Sequence, residues 1–208
     1  MKTINILSLV LFAFALLCLT SCLKKGEDDP FISFRTRTAR LTGQWHLTSG
    51  TEERTDVFID SLGSHESKTI YIYTENTYQS NTESTGYTSS MSGSFSYLME
   101  YKKNGEFSST KTNDNNVFSS EGTWNFTKGI GTHKNKEQIV INLSSSSNTY
   151  TNTSSSISSG NTYTGNKSDI TYTLKELRNS KLVLVYESTS TYFQGHGSST
   201  KSELTFEQ

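Results

Sequence analysis

Apolar and polar residues alternate along much of the chain. In the stretch RLTGQWHL, at positions 40–47, Leu41, Gly43, Trp45 and Leu47 alternate with polar side chains. The same period of two recurs at positions 95–101, 118–126, 139–143, 170–174, 182–186 and 204–206. A period of two is typical of β-strands with one buried face. No segment beyond the N-terminal region shows the 3.6-residue stripe of an amphipathic helix. The pattern therefore predicts an all-β protein.

Turn-forming sequences separate these predicted strands. They are SGT at 49–51, STG at 84–86, KKNGE at 102–106, SSGN at 158–161, LRNSK at 177–181 and GHG at 195–197. Short connections that contain Gly and Asn favour hairpins, so about ten strands should follow one another in up-and-down order. An antiparallel barrel of about 8–10 strands would pair the first strand with the last and leave no open sheet edge.

Up-and-down order assigns the connections to the two ends of the barrel. With the first strand rising from Arg40, we expect positions 61–66, 102–106, 127–136 and 177–181 at the lower end. The upper end should then hold 49–53, 80–92, 110–117, 144–168 and 188–199. The lower connections are rich in Lys and Arg, so we expect them to face an anionic membrane surface. The upper connections are mostly Ser, Thr, Asn, Gly and Tyr, which predicts polar hairpins around a mouth.

The segment at positions 144–168 is the richest in Ser and Thr. Its composition is typical of disordered chains, but Thr and Tyr are also good strand residues. We therefore expect a long hairpin that rises above the barrel, with disorder as the alternative.

The N-terminus has the pattern of a secretory signal. An almost unbroken apolar run from Ile4 to Leu19 follows the basic Lys2, and it is shorter than the ~20 residues of a transmembrane helix. The sequence Leu19-Thr20-Ser21-Cys22 resembles the lipobox of bacterial lipoproteins. The resemblance implies a signal peptide at 1–21, an acylated flexible tether at 22–34 and a folded domain at 35–208. An ordinary signal peptide with a stray cysteine is the alternative.

The cysteine count agrees with a lipoprotein. The chain has two cysteines, Cys18 and Cys22. The first would leave with the signal peptide, and the second would carry diacylglycerol and further acyl chains such as palmitate, which hold a protein stably on a membrane. The mature protein would then have no free thiol, no disulfide and no cysteine metal site.

An acidic triplet follows the proposed acylation site closely. Glu27, Asp28 and Asp29 are similar to the export signal of surface lipoproteins in Bacteroidetes-type bacteria. The resemblance implies a protein that is lipid-anchored in the outer membrane and exposed on the cell surface. A generic solvated linker is the alternative, and the choice between the periplasmic and the outward leaflet stays open.

The domain itself resembles a known family. Gly43-x-Trp45 on the first strand, KKNGEF, EGTWNF and ITYTLKELRNSKLVLVYES are similar to the lipocalin-like (calycin) domain of such surface lipoproteins, over most of residues 35–208. In that family the first-strand Trp packs at the closed end of the barrel, beneath an arginine from the last strand. No arginine lies in the last strand here, and Lys201 is the nearest base. Trp45 and Trp124 would both fall near the lower end of the barrel, so we expect their rings to fill that end.

No catalytic constellation is evident in the sequence. His46, His65, His133 and His196 are isolated, without the spacing of metal ligands. The chain has no Gly-x-Ser-x-Gly elbow and no phosphate-binding glycine loop. Glu52 and Glu53 are neighbours and should point to opposite faces of a strand. We therefore predict a non-enzyme without metal or cofactor. A net charge of −1 gives no reason to expect a nucleic-acid partner, and we expect a monomer.

The residues favour a binding protein. Tyr97, Tyr101 and Tyr172 are candidate ligand-facing residues, because tyrosine combines an apolar ring with a polar tip. The ligand would be a small apolar or amphiphilic molecule held inside the barrel. The alternative is a packed barrel without a cavity, used as an interaction or adhesion module that contacts a surface glycan or protein through its polar hairpins.

Overall fold

A computed structural model describes residues 35–60, 63–128, 137–152, 157–192 and 196–208. The predicted all-β class is confirmed: ten antiparallel strands close an up-and-down barrel of the kind expected for a lipocalin-like fold. Cys22 and the acidic triplet Glu27, Asp28 and Asp29 lie outside the described residues. No helix in the described ranges is long and apolar enough to cross a membrane.

The described elements begin with one short helix, α1 (Arg37–Leu41). The strands are β1 (Gly43–Asp60), β2 (Gly63–Thr74), β3 (Thr77–Ser84), β4 (Tyr87–Tyr101), β5 (Glu106–Asn113), β6 (Asn116–Lys128), β7 (Glu137–Asn152), β8 (Ile157–Leu177), β9 (Lys181–Thr191) and β10 (Gly197–Glu207).

Helix α1 is a single capped turn that delivers the chain to the barrel. The side chain of Thr36 accepts a hydrogen bond from the amide of Ala39 at 3.2 Å, which satisfies one free donor of the first turn. Arg40 and Leu41 are buried at its end. The helix therefore closes the lower end of the barrel, where β1 begins.

The barrel has fewer strands at its lower end than at its upper end. At the lower end β1 pairs directly with β4 over Gly43–His46. From Ser49 upward its partner on that side is β2 instead. The β2–β3 hairpin is thus inserted between β1 and β4 in the upper part only. Eight strands close the lower end, which leaves little more room than the side chains fill, and ten surround the upper part.

Polar contacts fix the tip of the inserted hairpin against β4. The carbonyl of Asn76 accepts a hydrogen bond from the amide of Phe95 at 2.9 Å. On the other edge, the Asp114 carboxylate accepts one from the amide of Ser94 at 2.8 Å. A Cβ on Gly93 would lie 2.4 Å from that carboxylate. A side chain at this position would therefore displace the carboxylate of Asp114 from its place beside β4.

Two predicted turns are wrong. SSGN at 158–161 lies inside β8, where Gly160 pairs with Thr149 of β7. Positions 49–51 lie inside β1, with a register shift between Leu47 and Ser49 rather than a reversal. A Cβ on Gly50 would lie 2.6 Å from the side chain of Leu204, so this glycine serves close packing between strands. Because β1 continues through 49–51, the β1–β2 connection lies at the upper end, although positions 61–66 were expected at the lower end. The chain reverses at the lower end at 75–76 instead, and this turn was not predicted.

The strands part into two groups above the middle of the barrel. Among the described residues, β8 and β9 pair only where Thr173–Leu177 meets Leu182–Val185. On the opposite side, β4 pairs with β5 only from Phe95 downward. Above these levels β9, β10, β1, β2, β3 and β4 stay paired with one another, and so do β6, β7 and β8. The barrel is therefore closed below and opens upward between these two groups of strands.

The Ser/Thr-rich segment is ordered as strand in its described parts. Strands β7 and β8 pair from Gln138 with Thr173 up to Asn152 with Ile157. Positions 153–156 lie outside the described residues. The predicted long hairpin is thus present, because Thr-rich strands can pair with each other where they could not form a core.

Candidate ligand pocket

Packed aromatic side chains form the floor of the barrel. Trp45 is fully buried, and its indole nitrogen donates to the carbonyl of Leu41 at 2.7 Å. Trp124 donates to the carbonyl of Lys102 at 3.0 Å in the lower β4–β5 turn. The ring of Tyr101 lies edge-on to Trp124, with centroids 5.7 Å apart. Both tryptophans therefore lie at the lower end, packed into the floor.

An arginine is buried at this end, but it does not come from the last strand. Arg40 of α1 is buried, and its guanidinium donates to the carbonyl of Leu177 at the end of β8. Lys201, the base noted in the last strand, is exposed and paired with Glu187. The cation at the closed end is thus supplied by the helix that precedes β1.

The basic residues of the lower end are largely paired with acids. Lys102 lies 3.0 Å from Glu106, and Lys181 lies 2.7 Å from the buried carboxylate of Glu176. Arg178 also pairs with Glu176. The described part of this end therefore has less unbalanced positive charge than its lysine and arginine content indicated.

Two pockets lie above the floor, in the middle of the barrel. The larger has a volume of about 230 Å³, and the smaller has about 120 Å³. Both are lined by Tyr97, Lys111, Ile170 and Tyr172. They therefore adjoin one another across these four side chains, which come from β4, β5 and β8.

Two of the three predicted ligand-facing tyrosines line the pockets. Tyr97 and Tyr172 line both of them, and Tyr172 also contacts Tyr186 with ring centroids 5.7 Å apart. Tyr101 does not line either pocket: it is fully buried in the floor, between Phe107 and Trp124. Alternation placed all three on the inner face, but it could not give their height along the barrel axis.

Burial keeps these tyrosines protonated. Burial, the first cause, raises the pKa of Tyr97, while hydrogen bonds with Tyr172 and Ser109 act in the opposite direction. Burial also raises the pKa of Tyr101 and of Tyr172 well above the usual 10.0. The nearby Glu52 carboxylate adds to the shift of Tyr172. All three hydroxyls are therefore neutral hydrogen-bonding groups at physiological pH.

These shifts predict a loss of stability at alkaline pH. A tyrosine whose pKa is higher in the folded state holds its proton more tightly when folded. Its contribution is fully present below pH 10.0, the usual tyrosine value, and is lost as the pH rises through the folded value. We expect urea midpoints to fall above pH 10.0 in wild type, and to fall less steeply in Tyr101→Phe. Equal slopes in the two proteins would contradict this origin of the effect.

Two opposite charges face the larger pocket. Lys111 on β5 and Glu52 on β1 both line it and are half-buried. The Lys111 ammonium lies 5.3 Å from the ring centroid of Phe95 and 5.8 Å from that of Tyr73. Within the described ranges neither charge forms an ion pair, with the other or with any other residue. Glu53, the neighbour of Glu52, lies on the outer face and pairs with Lys68 at 3.0 Å.

Exposed aromatic and apolar side chains surround the mouth above the pockets. The strand registers place six exposed residues on the same face as the pocket residues: Phe58, Tyr87, Met91, Phe118, Tyr150 and Tyr192. Phe58, for example, is an even number of residues from Glu52 along β1, so the two side chains lie on the same face. The ring of Phe58 also contacts that of His196. Exposed apolar residues that converge on one opening often indicate a binding surface.

The sequence analysis did not identify Lys111 and Glu52 as pocket residues. Glu52 was considered only as one of an acid pair, and Lys111 was not singled out. Strand alternation is the pattern that could have indicated Lys111, because it places this residue on the same face of β5 as Phe107 and Ser109. The strand register then pairs Lys111 with Tyr97 of β4. That pairing became visible only once the strand partners were known.

No group of three His, Cys, Asp or Glu side chains among the described residues is arranged to hold a metal ion. His133 lies outside the described residues. What the arrangement provides is a pocket with aromatic walls, two charges and neutral tyrosine hydroxyls, which suits binding.

Comparisons of the chain with protein-family models, with curated proteins and with solved structures found no match.

Proposed function

We propose that the protein is a lipid-anchored surface lipoprotein whose barrel binds a small ligand without transforming it. The observation that supports this most is the pair of adjoining pockets above a packed floor, lined by Tyr97 and Tyr172. Ligand sites are typically concave and mostly apolar, with a few placed polar groups. The aromatic residues around the mouth provide a route by which an apolar or amphiphilic molecule reaches the pockets.

An interaction or adhesion module is the second candidate. It is favoured by the polar β7–β8 hairpin and by exposed rings such as Tyr87 and Tyr192, which could contact a surface glycan or protein. An interaction module was expected to have a packed barrel without a cavity. The two pockets therefore favour the ligand-binding candidate. Whichever applies, the protein is proposed to act as a monomer without a cofactor.

Native mass spectrometry of the protein purified from its own host would test ligand binding. We expect a stoichiometric mass above that of the polypeptide and its lipid anchor, and organic extraction should release the corresponding small molecule. A clean apo mass, together with no uptake from an extract of host lipids and pigments, would argue against a small-ligand carrier and turn the search to macromolecular partners.

The lipid anchor is tested by two matched cysteine substitutions. We expect Cys22→Ser to move the protein from the detergent phase to the aqueous phase in a phase-separation assay, because the acceptor thiol is gone. Cys18→Ser should leave the protein in the detergent phase, since that residue would be removed with the signal peptide. If both variants partition like wild type, Cys22 is not the anchor.

Surface display has a separate test. Replacing Glu27, Asp28 and Asp29 with asparagine should reduce the fraction of protein that external protease removes from intact cells. An unchanged fraction would show that the acidic triplet does not direct export.

A further inference from the structure

The larger pocket is lined by one positive and one negative side chain, Lys111 and Glu52. Lys111 enters from β5 and Glu52 from β1, two strands that are not neighbours in the barrel. No ion pair links either of them to a residue in the described part of the chain. The ammonium is held only over the rings of Phe95 and Tyr73.

Half-buried charges without partners bind ligands of opposite charge well. Removing a charge from water is costly unless a new partner compensates it. The face of an aromatic ring attracts a cation only weakly, whereas a hydrogen bond between two ionised groups is short and strong. A carboxylate near Lys111 and an ammonium near Glu52 would each supply what the pocket lacks.

The two charged side chains form no ion pair with one another, and their presence in one pocket restricts the charge of the ligand. A simple anion would bind Lys111 while its charge is repelled by Glu52 in the same pocket, and a simple cation would meet the reverse situation. A molecule with both charges avoids each repulsion. The pocket is therefore complementary to a zwitterion.

Size and walls restrict the uncharged part of the ligand. An apolar cavity of about 150 Å³ is enough to hold benzene, so a pocket of about 230 Å³ has room for one ring and a short chain. Its walls include the rings of Tyr73, Phe95 and Tyr97. Aromatic rings stack or meet edge-on with one another favourably, which favours a ligand that carries a ring.

We propose that this pocket binds a small ring-bearing zwitterion of the amino-acid type, with its carboxylate at Lys111 and its ammonium at Glu52. This rests on the proposed ligand-binding function and names the ligand class of the same site. Tyr97 and Tyr172 then line the cavity around the ring, with their neutral hydroxyls hydrogen-bonded to one another.

Four compounds with the same ring and nearly the same chain separate the contributions of charge. They are phenylalanine, which has both charges, hydrocinnamate, which is an anion, phenethylamine, which is a cation, and hydrocinnamyl alcohol, which is neutral. Isothermal titration of the full-length protein in a nonionic detergent, with a protein-free detergent blank, would give the four dissociation constants. We expect phenylalanine to bind about tenfold more tightly than each of the others, since about 1.4 kcal/mol corresponds to a factor of ten.

Two pocket variants assign each charge. Lys111→Met should weaken phenylalanine binding about tenfold, and Glu52→Gln should weaken it equally. Lys111→Met should tighten the binding of phenethylamine and Glu52→Gln that of hydrocinnamate, because each variant removes the charge that repels that compound. The matched controls are Lys68→Met and Glu53→Gln, which remove the same charges from an ion pair on the outer face. Both controls should bind phenylalanine like wild type, and circular dichroism should show that all four variants are folded.

Three results would overturn the zwitterion proposal, and they bear differently on ligand binding itself. Equal affinity for all four compounds, unchanged in the variants, would leave a binding pocket without charge selection. Hydrocinnamate binding at least as tightly as phenylalanine would indicate an anion site. If none of the four compounds binds, this ligand class is excluded. Native mass spectrometry and organic extraction of the protein from its host would then decide whether it binds a small ligand at all.

Discussion

Trp45→Ala is expected to destabilise the barrel by about 3–5 kcal/mol, the cost of removing a large aromatic side chain from a core. Trp45 is fully buried in β1 and lies opposite Met99 of β4, where the two strands close the lower end. The substitution would also leave the carbonyl of Leu41 without its 2.7 Å hydrogen bond, in a buried place where water cannot easily replace it. Urea denaturation followed by far-ultraviolet circular dichroism would measure the change.

Two control substitutions separate the role of this site from that of any aromatic residue. Trp45→Phe keeps most of the ring and should lose only about 1–2 kcal/mol, from the hydrogen bond and the smaller volume. Tyr87→Ala removes an exposed ring and should stay within about 0.5 kcal/mol of wild type. A loss below about 1 kcal/mol in Trp45→Ala would contradict the view that this residue closes the barrel.

Ile170→Trp is expected to weaken binding in the pockets at least about tenfold while the protein stays folded. Ile170 is half-buried and lines both pockets, so an indole at this position would occupy the space where they adjoin. We expect the dissociation constant for hydrocinnamyl alcohol, which needs volume but no charge, to rise at least about tenfold. Overpacking costs typically about 1–3 kcal/mol, and here the pocket offers room that should keep the cost low.

The adjacent residue provides the matched control. Thr171 is next to Ile170 on β8 and faces the opposite side of the strand, where it pairs with Val140 of β7. Thr171→Trp adds the same side chain outside the barrel and should bind hydrocinnamyl alcohol like wild type. If Thr171→Trp weakened binding as much as Ile170→Trp does, or if Ile170→Trp had no effect, the pockets would not be the binding site.

The fold class could be predicted from alternation because a barrel wall has one dry face and one wet face. The period of two around Trp45 and at 182–186 corresponds to buried residues such as Leu182 and Leu184 in the structure. The turn at Gly105, with a positive φ of 88°, was predicted from the Asn-Gly pair. These features depend on neighbouring residues only.

Features that depend on distant partners were harder to predict. A glycine serves a turn in one place and close packing in another, and Gly50 was assigned to a turn because its neighbour Leu204 is far away in sequence. The insertion of the β2–β3 hairpin could not be seen either, because it is defined by where β1 changes its partner from β4 to β2. Strand register, rather than composition, contains this information.

The candidate site was predicted in part for the same reason. Tyr97 and Tyr172 could be placed on the inner face from parity, but whether an inner residue lies in the floor or beside a pocket depends on its height. Tyr97 and Tyr101 are two inward positions apart along β4, with Met99 between them, and this difference in height separates a pocket wall from a buried core ring. Lys111 and Glu52 became a pair only when β5 and β1 were brought around the same cavity.

The residues that stabilise the barrel and the residues that line the pockets lie in different parts of the structure. The eight-stranded lower end contains the fully buried residues Trp45, Tyr101 and Phe206, together with the fixed hydrogen bonds of the floor. The part above the floor contains the pockets, and the exposed rings lie around its mouth. Substitutions in the floor should therefore change stability, and substitutions in the pockets should change binding with smaller effects on stability.

Ring signals of isotope-labelled tyrosine, followed by nuclear magnetic resonance while ligand is added, test most directly whether the barrel holds a small molecule above its floor. The chain has eleven tyrosines, and single substitutions to phenylalanine would assign their signals. With phenylalanine and hydrocinnamyl alcohol we predict the largest shifts at Tyr97 and Tyr172, and small shifts at Tyr101 in the floor. Shifts confined to exposed tyrosines such as Tyr87, or no shifts at Tyr97 and Tyr172 at saturating ligand, would contradict binding in these pockets.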